Sequence, residues 1–549
     1  MQKVLTAAQM REVDRLTTER YGIPSILLME NAAHAVARVI TEKLGGSVEG
    51  KSILVLCGKG NNGGDGAALA RILWTMGADC FVYLFGNVAE TRGDAKTNFD
   101  VLRTIYDSPD TNGPNENCLI LFENAEDGSV HFEPKDVVVV DALFGTGIDR
   151  PVTGVFEKLI RRENLYFRRR TRLHISVDLP SGLNSDTGEP IGENAKADVT
   201  VSFTSPKPAN ILPPAASSNG ELVIANIGSP EELIDEQPSM LYLAEQGDAK
   251  KWLKASAFAT SSYKNKRGHA LIIAGSESFS GAAVLAGNAA MRSGVGLVTV
   301  VTPKSSKESI ATRVLPEVMV RGAAETDGGA ISEEAFDEIQ DLLKKADAIA
   351  IGSGLSQSES TRKFIQKVIE NRTTPVVIDA DALNLLSPFR DAALQKPARS
   401  TGIAHDDFPL ILTPHEGEFM RLLGTDDKGV LNDRVAAVRE FSQKNNVILV
   451  LKGERVLIGE PGGKVVVNPT GNSGLGKAGN GDTLTGILGG FVTQAAAMTI
   501  DIFEAVVAAV YVAGMAGDVA EKKFGKRVMT ASDVRECLVD VFASLTSEK

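Results

Sequence analysis

Ser52-Ile-Leu-Val-Leu-Cys57 is an unbroken aliphatic run, and Gly58-Lys-Gly60-Asn61-Asn62-Gly63-Gly64-Asp65-Gly66 follows it directly. Such a run, with no polar alternation, reads as a strand buried on both faces of a parallel sheet. The glycine-rich stretch reads as a turn that opens a helix over 65–76, with Ala, Leu and Ile on one face. Strand, turn and helix in this order begin a doubly wound α/β domain, whose ligands lie beyond the carboxyl ends of its strands.

The same alternation continues outward. Strands are predicted at 81–85, 137–140, 173–177 and 199–203, and 6–39 reads as a helical extension broken near Gly22-Ile-Pro24. Gly228-Ser-Pro-Glu-Glu-Leu-Ile-Asp-Glu-Gln-Pro238 is polar and punctuated by proline, so the domain boundary is placed there. The predicted organisation is a first domain over 1–230, a linker over 231–240 and a second domain over 241–549. The second domain repeats the pattern, with strands at 270–274, 297–301, 348–351, 376–378, 410–412 and 448–451. Helices at 282–293 and 416–423 fall between them. The fold class is α/β, two doubly wound domains, the first Rossmann-like.

Composition sets the outer bounds. The chain has 549 residues, 43% hydrophobic and 23% charged, as in a soluble globular protein. A net charge of −12 argues against broad nucleic-acid binding. The short basic run at 168–172 reads as a solvated loop. None of the four cysteines forms a C-x-x-C pair, and Cys57 and Cys80 read as small core residues of a reducing, cytoplasmic protein. The N-terminus shows no signal-peptide pattern, and the apolar run at 505–516 is too short to span a bilayer, so no membrane partner is expected.

Three loops in the first half follow strands. Besides 58–66 these are Val140-Asp141-Ala-Leu-Phe144-Gly145-Thr146-Gly147 and Val177-Asp178-Leu-Pro180-Ser181-Gly182-Leu-Asn184. Each of these two puts an aspartate straight after a strand, either as a site residue or as the cap of a turn. Oxygen donors from Asn62, Asp141 and Ser181 suit a hard cation better than a soft metal. Gly58, Gly60 and Gly63 match G-x-G-x-x-G, but a dinucleotide fingerprint also needs an acidic residue about 20 positions on. The next predicted strand ends instead at Phe85-Gly86.

In the second half, Gly471-Asn-Ser-Gly-Leu-Gly-Lys-Ala-Gly-Asn-Gly-Asp482 leads into an apolar helical run. Its backbone N–H groups and the helix start would form an anion hole with Asp482 as the base beside it, which suits phosphoryl transfer to a hydroxyl. Asp482 could equally be an N-cap. Residues 471–478 nearly spell a Walker A loop, but Ala478 stands where Ser or Thr must reach magnesium. His415 and Glu418, three apart at a helix start, are open to metal binding, substrate orientation or local hydrogen bonding. Asp379 and Asp381 either support a pocket or cap 383–386.

The first-half loops, with Ser205-Pro206-Lys207-Pro208, resemble the NAD(P)H-hydrate epimerase family over about residues 1–230. The resemblance implies that hydrated NADH or NADPH is held by Asn61, Asn62, Gly63, Gly64 and Asp65, by Gly145, Thr146, Gly147, Ile148, Asp149, Arg150 and Pro151, and by Asp178. It implies potassium at Asn62, Asp141 and Ser181, and interconversion of the R and S epimers at nicotinamide C6 with Asp178 as the acid–base candidate. From about residue 240 the chain resembles the ADP/ATP-dependent NAD(P)H-hydrate dehydratases of ribokinase-like fold. The carrying residues are 264–268, Ala274-Gly275-Ser276, Gly281-Ala282, 292–298, Gly352-Ser-Gly354-Leu355, Asp379-Ala380-Asp381, Thr413-Pro414-His415 with Glu418, Leu451-Lys452-Gly453 and 471–482.

The second resemblance implies substrate contacts at Gly354, His415, Glu416, Gly417, Glu418 and the catalytic Asp482. It implies nucleotide contacts at Lys452, Gly453, Glu454, Arg455 and Val456, and at Asn472, Ser473, Gly474, Leu475, Gly476, Lys477, Ala478, Gly479, Asn480 and Gly481. Two positions depart from the family: Asn480 replaces a usual Thr, and Ala274 replaces a common glycine. The expected protein is a fused, cytoplasmic and homo-oligomeric repair enzyme using ADP, with ATP as the other candidate, and magnesium. The alternatives are a small-molecule kinase with a nucleotide-binding module, a nicotinamide-dependent oxidoreductase, or a fusion with one non-catalytic domain.

Overall fold

The computed structural model describes residues 1–108, 117–124, 137–165, 171–390 and 408–547. The chain divides into two compact units, one of residues 2–239 and one of residues 240–549 with Met1. Helix Glu231–Asp235 lies inside the predicted linker, and its Leu233 is fully buried against Leu5, Val13 and Leu16 of the first unit. Most of the basic run at 168–172 lies outside the described residues.

The first unit is built on a seven-stranded parallel sheet. Its order is Leu119–Phe122, Asp79–Leu84, Ser52–Cys57, Val138–Ala142, Leu173–Val177, Val199–Phe203 and Glu221–Ala225. Chain order reverses between Ser52–Cys57 and Val138–Ala142, so the loops leaving these two strands diverge and open a crevice. Helices Ala7–Tyr21 and Ser25–Lys43 precede the sheet, with Gly22 in the left-handed conformation between them.

One reading of the glycine stretch is corrected. The helix starts at Asn61, not at 65, and runs to Thr75. A methyl group on Gly63 would lie 1.8 Å from the Gly58 carbonyl oxygen, and one on Gly66 would press on Ala142 and Cys57. These glycines therefore let the helix's first turns sit against the strand ends. Cys57 and Cys80 are free and buried, as expected of core residues.

The second unit's sheet runs Leu241–Leu243, Val465–Val467, Leu457–Gly459, Ile448–Leu451, Leu410–Leu412, Val376–Ile378, Ala348–Ile351, His269–Ile273, Leu297–Pro303 and Val318–Ala323. The pairings of Leu457–Gly459 with its two neighbours are antiparallel, and the other pairings along this order are parallel. Here the order reverses between His269–Ile273 and Ala348–Ile351. Helix Asn480–Met498 crosses beneath that point, with Gly489 facing Ala350 and Ile272, and Gly486 against Ala286 of helix Ser280–Arg292.

The apolar run at 505–516 is part of a longer helix, Ile502–Phe524. By length and composition alone this helix is able to cross a membrane, which corrects the estimate from sequence. Here Val506, Ala509, Val510 and Ala516 are buried in the same core as Trp252 and Phe491.

Candidate functional sites

In the first unit a cavity of about 650 Å³ opens at the sheet's reversal point. Asn61, Asn62, Asp65, Gly145, Thr146, Gly147, Ile148 and Asp178 line it. Gly63, Gly64, Asp149, Arg150 and Pro151 are not among the lining residues. Gly63 and Gly64 are buried where the helix meets Gly58 and Ala95.

Asp178 has a backbone φ of 66°, a conformation that aspartate tolerates better than most residues, at the carboxyl end of its strand. Its Oδ1 accepts from Lys207 Nζ at 2.6 Å and from Ser202 Oγ at 3.2 Å. Lys207 is almost fully buried. Its ammonium also donates to Ser202 Oγ and to the Phe203 carbonyl, each at 3.0 Å, so all three donors are used. Sequence reasoning gave Lys207 no role, and the only local sign was its place between two prolines.

Asp141 is buried at the end of the neighbouring strand. Its carboxylate accepts from Ser181 Oγ, Ser181 N (2.8 Å), Ser176 Oγ (3.1 Å) and Leu143 N (3.3 Å). Phe144 N donates to Ser181 Oγ, and Gly145 lies against the Asn62 side chain. Asn62 Nδ2 is buried without a hydrogen-bond partner. The three residues expected to hold a cation thus gather around the 141–147 loop, and their side-chain oxygens are donors of the kind a hard cation takes.

Two further acids share this cavity. Burial, with Asp178 nearby, pushes the Asp14 carboxyl up to about 6 against the pull of Lys207. Burial and the neighbouring Asp178 and Asp14 push Asp65 well above the usual carboxylate range. Sequence reasoning missed Asp14. It is an acidic residue beside the apolar stripe Met10, Val13, Leu16 and Thr17 of its helix.

In the second unit Asp379 and Lys452 form the central pair. Lys452 Nζ donates to Asp379 Oδ1 at 2.7 Å, and Thr485 Oγ1 to Oδ2 at 2.7 Å. Burial alone would raise the Asp379 carboxyl, but Lys452 and these hydrogen bonds hold it below its ordinary value. Burial opposes the Lys452 charge, yet Asp379, Glu418 and Asp482 together raise its pKa. Asp379 heads helix Ala380–Leu385 without a side-chain cap bond, so its carboxylate serves the lysine and not the helix. Asp381 instead accepts from Ser356 N and Gln357 Nε2.

Asp482 sits in the first turn of its helix, and the N-cap is Gly479. Burial pushes its carboxyl up to about 6 and Asp379 adds to the rise, against the nearby Ser353 hydroxyl and the charge of Lys452. A methyl on Gly481 would lie 3.7 Å from Lys452 Nζ and 3.8 Å from Asp379 Oδ2, so the helix start, the lysine and both acids share one place. Gly354, with a φ of 65°, lies against Ala282 and Phe279.

Other predicted residues do structural work. His415 Nδ1 accepts from Gly417 N and Glu418 N while Glu418 accepts from His415 N, a capping box in place of a metal pair. Lys477 donates to the carbonyls of Arg527 and Met529, and the helix begins only at Asn480, so the Walker A reading does not hold. Asn480 N donates to Lys477 O, leaving fewer free N–H groups than the expected hole. Gly471 N and Asn472 Nδ2 are tied to Asp518, and Arg455 to the Pro469 carbonyl. Among the described residues, no group of three or more His, Cys, Asp or Glu is placed to hold a metal.

Residues 25–209 match the family model of the YjeF-related protein N-terminus, and residues 270–539 match that of NAD(P)H-hydrate dehydratase. The bifunctional NAD(P)H-hydrate repair enzyme of Moorella thermoacetica is 36% identical over 99% of this chain and 97% of its own length. The chain belongs to the bifunctional NAD(P)H-hydrate repair enzymes. The relative of the same name from Thermofilum pendens is 32% identical over 100% of this chain and 97% of its own. A solved ADP/ATP-dependent NAD(P)H-hydrate dehydratase from Bacillus subtilis, co-crystallised with ATP and Mg²⁺, is 30% identical with a TM-score of 0.46, covering 55% of this chain and 98% of its own. Within this family the first unit is the epimerase and the second the dehydratase that depends on ADP or ATP.

Proposed function

We propose that the cavity at Asp178 and Lys207 is where the R and S forms of hydrated NADH and NADPH interconvert. The buried ion pair at its wall carries the reading, because it holds one charged carboxylate and one cation against the substrate in a water-poor place. Asn61, Asn62, Gly145, Thr146, Gly147 and Ile148 line the same space and position the substrate. Asn62, Asp141 and Ser181 would hold a potassium ion there, which would supply a fixed positive charge to the bound hydrate.

In the second unit Asp482 takes the proton of the C6 hydroxyl. That oxygen attacks the terminal phosphoryl group of ADP and releases AMP. The new phosphate ester then leaves C6 as phosphate while C5 loses a proton, which restores the C5–C6 double bond. Lys452, held upright by Asp379, and the N–H groups at the helix start stabilise the phosphoryl oxygens. Magnesium would neutralise the nucleotide's charge. ADP is favoured over ATP, in a cytoplasmic homo-oligomer.

The test is the recovery of 340 nm absorbance from mixed R and S NADH hydrate, with ADP or ATP. Full recovery supports both activities. Recovery of the S fraction alone, beyond spontaneous drift, rejects the epimerase site. No recovery with either nucleotide rejects the dehydratase site.

A further inference from the structure

The Asp178–Lys207 pair leaves the first cavity with a question of proton supply. Asp178 Oδ1 already accepts from Lys207 and Ser202, and the lysine's three donors are all engaged. Both groups of this pair are thus tied to partners within the protein. Asp14 enters from helix Ala7–Tyr21 and lines the same cavity. Its Oδ1 is buried and has no hydrogen-bond partner. A buried carboxyl oxygen without a partner is costly in a native fold and calls for an explanation, such as a ligand group that meets it.

We propose that Asp14 is a second catalytic residue of the epimerase cavity, the acid that protonates the departing C6 hydroxyl of the hydrate. The inference rests on the epimerase reading of this cavity. In the step, the C6–O bond breaks and the oxygen leaves as water with the Asp14 proton. The lone pair of the ring nitrogen forms a C6=N double bond, which makes C6 planar. Water then adds from the opposite face and its proton returns to the Asp14 carboxylate. Atoms and charge are restored, and no further reactant is consumed.

The surroundings explain why this carboxyl is the acid. Asp178 and Lys207 face it from the sheet's ends and Asp65 from helix Asn61–Thr75, while Arg11, Lys59 and Asp94 complete the charged lining. Burial and the neighbouring acids push Asp65 well above the carboxylate range. Asp14, pushed up to about 6, both holds a proton and can give it up near neutrality, where an acid catalyst is most effective. The C6=N cation that forms would be stabilised by the negative carboxylate left behind.

The experiment compares the full-length wild type with Asp14→Asn, Asp14→Glu and Asp178→Asn. It follows conversion of purified R NADH hydrate to the S form chromatographically, without nucleotide, from pH 5 to 8, with the spontaneous rate subtracted. In the wild type kcat/KM falls about tenfold per unit above about pH 6, because the protonated form is the active one. Asp14→Asn loses about 10²-fold or more in kcat and the pH limb with it, while ADP-dependent dehydration of the S form is unchanged. Asp14→Glu regains part of the rate and the limb. If Asp14→Asn keeps both the rate and the limb, or if Asp14→Glu restores neither, the proposal is wrong. If the wild type itself does not accelerate epimerisation, the epimerase reading and this inference fall together. If wild type is active and only Asp14→Asn behaves like it, the inference alone falls.

Discussion

Both domains place a lysine on an aspartate at the candidate site, at 2.6 Å for Lys207–Asp178 and 2.7 Å for Lys452–Asp379. They use the pair differently. In the epimerase the paired aspartate itself faces the cavity, and the acids around it are pushed towards their neutral forms. In the dehydratase the paired aspartate is an anchor tied to Thr485, and the proposed base, Asp482, stands apart from it with its pKa raised to about 6. In the dehydratase the lysine holds Asp379 below its ordinary value, while burial raises Asp482 beside it.

The largest expected effect tests that division of labour. Asp482→Asn keeps the shape of the helix start but removes the base. Dehydration should fall by about 10²–10⁴-fold, with R-to-S conversion untouched. The check is ADP-dependent NADH recovery from the pure S hydrate beside chromatographic epimerisation. Equal loss of both activities would break the two-site picture.

The pairs also differ in what they owe to their lysines. Asp379 is 2% exposed, so Lys452→Met strands a buried charge. Such a loss costs about 3–5 kcal/mol. Asp178 borders the cavity and can be rehydrated, so Lys207→Met should destabilise its own domain less. Thermal unfolding of the two variants, followed domain by domain through limited proteolysis, makes the comparison. Equal destabilisation would mean that Asp178 is as enclosed as Asp379.

Neither pairing was legible in the sequence. Lys207 lies 29 residues from Asp178, and Lys452 lies 73 from Asp379; a contact at that separation has no local period or spacing to betray it. The strands at 173–177 and 448–451 were legible because a run buried on both faces is apolar throughout. Leu457–Gly459 and Val465–Val467 were too short to stand out, and Val318–Ala323, at the sheet edge, has its apolar run broken by Arg321 and Gly322. Asp178 and Asp482 could be read from position alone, one just after a strand and one at a helix start. The glycines at 63 and 64 misled for a physical reason. They were needed for close packing of a helical turn, and glycine in a sequence looks the same whether it serves a turn or a tight contact.

A smaller effect separates the two sites by pH. Dehydration needs the Asp482 carboxylate, so it should fall about tenfold per unit as pH drops below about 6. Epimerisation through an Asp14 acid should show the opposite limb, falling above about 6. The ratio of the two rates would then change steeply with pH, and NADH recovery from a mixed hydrate would switch its slow step from dehydration in acid to epimerisation in base. Parallel profiles would show that one shared step, not two separately tuned acids, controls both activities.

The smallest effect concerns Asn480, which stands where the family's usual residue is Thr. Its Nδ2 donates to the Leu475 carbonyl at 3.0 Å and bridges the glycine loop, while its Oδ1 is buried without a partner. The side chain is a latch on the loop; the anion hole proposed beside it is one of backbone N–H groups. Thr is too short to keep the same bridge, but it also removes the unsatisfied oxygen. The two changes oppose each other, and a single neutral hydrogen bond is worth about 1 kcal/mol. Asn480→Thr should therefore alter kcat by less than about tenfold and act mainly on the KM for ADP through the loop's position. A loss as large as that of Asp482→Asn would place the Asn480 side chain on the transferring phosphoryl group and overturn the backbone-hole account.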